Sequence, residues 1–94
     1  MTYEIILSLL QMDLGEMNPD ENRKAYLLHT IEAAESFIAR EGIELNDNAE
    51  DQSLVEMYAA YLIRKRDKAE GMPRSLRWTL NNRLFSQKGK QEGT

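Results

Sequence analysis

Few residues of this chain are of types that make or break bonds, and their spacing does not gather them. His29 is the single histidine. Helical periodicity sets it beside Ser36 and Arg40, away from the apolar stripe of Leu27 and Ile31, so a solvated position is expected. The chain has no cysteine, which excludes disulfides, Cys/His pairs and thiolate zinc sites. No Ser/His/Asp grouping forms around His29. Glu32 and Glu35 share a helix edge, but an ion site there would need ligands from other helices. A charged, solvated face is the simpler expectation. The stretch "NDNAED" at 46–51 has the acids of a calcium loop without its glycine or closing glutamate, and helix capping explains it better. There is no glycine-rich phosphate loop, and Gly15, Gly42 and Gly71 fall where helices are expected to stop. Neither an enzyme nor a cofactor site is expected.

Binding chemistry is better represented. Residues 71–88, "GMPRSLRWTLNNRLFSQK", hold three arginines and the single tryptophan of an acidic chain. The net charge of -4 divides unevenly. Residues 1–60 carry 13 acids and 3 bases, whereas residues 61–94 carry 9 bases and 3 acids, so -10 is set against +6. The bases Arg64, Lys65, Arg66, Lys68, Arg74, Arg77 and Arg83 suit phosphate, an acidic partner, or the chain's own acidic part. The low isoelectric point speaks against nucleic acid, whose binding domains are usually basic.

These residues need elements to place them, and the period throughout is helical. Four helices are predicted, the first over 3–13 with Thr2 as its cap. Glu4, Ser8 and Gln11 fill one narrow sector of it, and apolar residues fill most of the rest. "NPDE" opens the second, with Asn18 as N-cap, Pro19 in the first position and Glu21 completing a capping box. It runs to about Arg40, with Gly42 just past its end. The third covers 49–68 after Asn48 as cap. It is apolar nearly all round, which predicts a central position. The fourth starts at Pro73 and fades near Ser86. The domain is placed at 1–88 and a frayed tail at 89–94.

In the fourth helix Leu76, Leu80 and Leu84 share the face expected to close the core. Trp78 and Phe85 fall on the other side, under a loop of the same chain or against another molecule. A single core in 94 residues is thin, and four helices offer limited cover, which favours an oligomer. No apolar run approaches the roughly 20 residues of a membrane span, and no signal peptide is recognisable. A soluble, intracellularly made all-α domain is expected.

Residues 57–88, "MYAAYLIRKRDKAEGMPRSLRWTLNNRLFSQK", together with "LLHTIEAAESFIAREGI" at 27–43, resemble the head–tail connector proteins of tailed bacteriophages, a family also described as DNA-packaging proteins. The resemblance is a pattern of helix, arginine-rich turn, "MPR" start and "NNRLF" close. It implies a small helical subunit that assembles as a ring beneath the portal at the virion neck, after synthesis in the bacterial cytoplasm. Such a ring extends the DNA channel without sequence-specific binding and receives the next neck protein. No cofactor, catalysis or membrane is implied. The residues it nominates for contacts with a neighbouring copy or the portal are Arg64, Arg66, Arg74, Arg77, Trp78, Arg83, Leu84 and Phe85. The loop between the second and third helices is shorter here than in relatives where it carries contacts. The alternatives are a DNA-binding packaging or regulatory module, such as a small terminase-like subunit using the fourth helix, and a helical interaction domain unrelated to phage.

Overall fold

The computed structural model describes residues 3–92, with side chains to residue 89. The expected cap Thr2 lies outside these. Four helices are present, α1 (Tyr3–Leu14), α2 (Glu21–Arg40), α3 (Ala49–Lys68) and α4 (Arg74–Glu92), with no strand among the described residues. The protein is all-α. No helix is long and apolar enough to cross a membrane among the described residues.

The start of α2 differs from the expected one. Asp20, not Asn18, is the N-cap, and its Oδ1 accepts the Arg23 N–H at 2.8 Å. "NPDE" offers two capping registers, and a contact from outside the helix accompanies the second. The Arg23 side chain donates from Nε and Nη2 to Glu16, both at 2.7 Å, which ties the first turn of α2 to the chain leaving α1. Asp20→Ala is therefore expected to cost about 1 kcal/mol in urea unfolding and Asn18→Ala almost nothing. The reverse order would restore the earlier cap.

Asn48 caps α3 as expected, accepting the Asp51 N–H at 2.8 Å. Gly42 follows α2 with a φ of +94°, a left-handed conformation that glycine adopts without a Cβ penalty. Helix α3 is central and packs on all three other helices. Its Leu54, Val55, Ala59 and Ile63 meet Ile6 and Leu10 of α1, Leu27, Ile31 and Ile38 of α2, and Leu76 and Leu80 of α4 in one buried core. Phe37 and Tyr58 stack at its edge with ring centroids 6.0 Å apart.

Helix α4 begins within one residue of the expected start and continues to Glu92, well past Ser86. Gln87 anchors this extension. Its Nε2 donates to the Gly42 carbonyl at 2.8 Å, and its Oε1 accepts the Glu44 N–H at 2.7 Å. Gly89 costs a helix only about 1 kcal/mol relative to alanine, and no proline follows it. Residues 89–92 of the expected tail are thus helical, and 93–94 lie outside the described residues.

Candidate functional site

Several charged side chains close the subunit on itself. Asp51 has no solvent exposure, yet it is an acid in the first turn of α3. Arg83 of α4 grips it with Nε to Oδ1 at 2.8 Å and Nη2 to Oδ2 at 3.0 Å. The same guanidinium donates to the Glu44 carbonyl at 2.7 Å and to Gln87 Oε1 at 3.3 Å. The Asn46 N–H adds a further bond to Asp51 Oδ2 at 2.7 Å. Two-pronged, charge-assisted bonds of this kind are among the strong ones. The hydrogen bonds that Arg83 donates to Asp51 hold its pKa above the ordinary value. Arg83 therefore locks α4 to the α2–α3 loop inside the subunit, where an intermolecular role is expected from the sequence.

Arg77 and Arg64 are also engaged within the chain. Arg77 donates from Nη1 and Nη2 to Glu41 at 2.7 and 3.1 Å. Arg64 pairs with Asp13 at 2.9 Å. All three pairs join the basic end of the chain to its acidic part, so much of the charge asymmetry is satisfied inside one subunit. Arg66 stacks over the Tyr26 ring at 4.6 Å on an exposed part of α3. Arg74 is exposed and makes no ion pair among the described residues.

Beside the Arg64 pair lies a second cluster. Glu56 of α3 hydrogen-bonds Asp13 of α1, and its Oε2 is buried without a partner. Two carboxyl groups share such a bond only when one holds a proton. Burial, then the Asp13 bond and charge, pushes Glu56 up to about 8. Burial also pushes Asp13 upward, but bonds from Glu56 and Arg64 outweigh it and hold Asp13 below its ordinary range.

The remaining nominated residues lie on α4. Leu76 and Leu80 are buried and Leu84 is partly buried against the core. Trp78 and Phe85, seven residues apart on the opposite face, are 70% and 78% exposed. No loop among the described residues covers them. Leu84, Phe85, Asn81 and Lys88 line a shallow shelf there. Helix α1 presents a matching stripe that its composition alone does not single out. Ile6, Leu7 and Leu10 turn inward, leaving Ile5, Leu9 and Met12 at 48%, 37% and 64% exposure.

His29 and Glu32 are exposed, as expected. The "NDNAED" stretch caps α3 through Asn48 and anchors α4 through Asp51. No group of three or more His, Cys, Asp or Glu side chains able to hold a metal is found among the described residues. No protein-family model, curated protein or solved structure matches the chain.

In the sequence Asp51 is one acid among several in "NDNAED", and Glu56 is one more glutamate of the third helix. Nothing local distinguishes either from a solvated carboxylate. The partner of Asp51 stands 32 residues away, and the Asp13–Arg64 pair spans 51.

Proposed function

We propose that this chain is a structural head–tail connector of a tailed bacteriophage. It adds a ring of subunits beneath the portal, extends the DNA channel and receives the next neck protein. It does so by binding alone, at the virion neck, after synthesis in the host cytoplasm. The observation that carries this reading is the two-faced α4. Its leucines close the subunit while Trp78 and Phe85 stand exposed on the outer face. Aromatic side chains of this size are favoured interface anchors, and here they sit beside the exposed Arg74. The sequence pattern "MPR…NNRLF" supports the same reading.

The duplex-binding alternative would use the same helix. Arg77 and Arg83 already donate to Glu41 and Asp51, so turning them to phosphate would break intrasubunit bonds. That favours the connector.

Retention of the purified protein on portal-bearing, tail-less capsids tests the proposal. The expected result is specific retention, with little binding to duplex DNA at moderate salt. Failure on capsids, combined with duplex binding that weakens steeply as salt rises, would overturn it in favour of the DNA module.

A further inference from the structure

We propose that the exposed stripe of α4 in one copy seats on the exposed stripe of α1 in the next copy. The inference deepens the connector reading and rests on it for its biological setting. It names Trp78 and Phe85 as one half of the subunit seam and Ile5, Leu9 and Met12 as the other.

The two stripes match in length. Trp78 to Phe85 and Ile5 to Met12 each cover seven residues, about 10 Å of helix at 1.5 Å per residue. They also differ in charge. From Tyr3 to Leu14, α1 carries Glu4 and Asp13 and no base. Asp13 is paired with Arg64, and Lys24 of α2 lies near Glu4. Glu32 and Glu35 of α2 lie near Tyr3, so this flank is acidic on balance. The exposed face of α4 carries Arg74 near Trp78 and Lys88 near Phe85. An apolar stripe set among acids therefore faces one set among bases, which favours α1 against α4 over either helix against itself.

Placement in the subunit agrees with this pairing. Helix α1 engages α3 through Glu56 and Arg64, whereas α4 engages it through Asp51, with Arg77 near Tyr58 and Tyr61. At about 100° per residue, these two sets lie on roughly opposite sides of α3. The stripes consequently belong to opposite flanks of the subunit. A contact between different faces of successive copies is heterologous and propagates in one direction, closing as a ring when its rotation allows. One such seam covers both stripes at once. A foreign partner on α4 alone would leave Ile5, Leu9 and Met12 in water.

The absence of cysteine makes the test direct, because introduced thiols are the only ones present. Ser8→Cys lies beside the α1 stripe and Asn82→Cys beside the α4 stripe, both at exposed positions. The two single variants are mixed at millimolar concentration, without capsids, and treated with a short bis-maleimide. Crosslinked dimer is expected from the mixture and far less from either variant alone. Adding Trp78→Ala to the Asn82→Cys partner should weaken association about 30-fold, the size of a hot-spot loss. Its helix content by circular dichroism should stay unchanged, since Trp78 contributes little to the core. No mixed crosslink, or equal crosslinking within a single variant, overturns the seam. So does a Trp78→Ala variant that loses its helix content, because Trp78 would then be a folding residue. Capsid retention is read separately. The seam fails without the connector when crosslinking is absent but capsids bind, and the connector fails without the seam in the opposite case.

Discussion

Arg83→Ala is expected to destabilise the protein by about 3–5 kcal/mol, the usual cost of leaving a buried charge without its partner. Asp51 has no exposure, and the Arg83 side chain retains only 11% of its own. Truncation would take the guanidinium from the buried carboxylate, which keeps the Asn46 N–H bond. It would also release the Glu44 carbonyl and part of the Gln87 anchor. For a domain this small, each kcal/mol moves the melting temperature by about 4–8 °C, so a fall of at least 12 °C should appear in a thermal scan. Replacing both partners, Asp51→Leu with Arg83→Met, should cost much less than the sum of the single changes, because no charge is left buried alone. A loss under about 1 kcal/mol for Arg83→Ala would mean the pair behaves as a surface ion pair.

Glu56→Gln is expected to change the pH dependence of stability more than any other exchange of one carboxyl for an amide. An ordinary glutamate titrates near 4.5, whereas Glu56 holds its proton to about 8 in the fold. Between these values the folded state binds more protons than the unfolded one. The stability contributed by Glu56 is therefore complete below about 4.5 and is lost as pH rises through about 8. Asp13 acts with the opposite sign. Its depressed carboxyl contributes stability above an ordinary value of 3.8, which is lost as pH falls below that range. The two windows are separate. Because Glu56 is only partly buried, solvent screening reduces the effect to about 1–2 kcal/mol across pH 5 to 9. Glutamine keeps a donor toward Asp13 and has no proton to lose. Urea unfolding at pH 5, 7 and 9 should give a declining series for the native protein and a flat one for Glu56→Gln. Parallel series would place the titration elsewhere.

What could be anticipated from residue order follows the range of the interaction concerned. The all-α class, the centrality of α3 and the two faces of α4 depend on periodicity over a few turns, and Leu76, Leu80, Trp78 and Phe85 lie as that periodicity requires. The Asn48 cap and Gly42 are equally local. The start of α2 was ambiguous because Asn18 and Asp20 are both good caps. Arg23 meets Glu16 across a turn that helical periodicity does not describe. The fading near Ser86 that the sequence suggests for α4 comes too early for a similar reason, since Gln87 is held by Gly42 and Glu44 more than 40 residues upstream.

The arginines carry the same lesson for the candidate site. Their clustering suggested a surface that waits for a partner, yet Arg64, Arg77 and Arg83 each meet a carboxylate 32 to 51 residues away in the same chain. The outward-facing chemistry of the two stripes is Arg74, Trp78, Phe85 and Lys88 on α4 and Ile5, Leu9 and Met12 on α1. Binding is consequently expected to depend on apolar contact more than on charge, and to resist salt better than phosphate recognition would.

The most direct measurement is electron microscopy of portal-bearing, tail-less capsids incubated with the purified protein. A closed ring of added density beneath the portal is the expected result, with α4 of each subunit lying against α1 of its neighbour. Capsids that gain no density, while the protein instead collects along duplex DNA, would contradict the connector assignment.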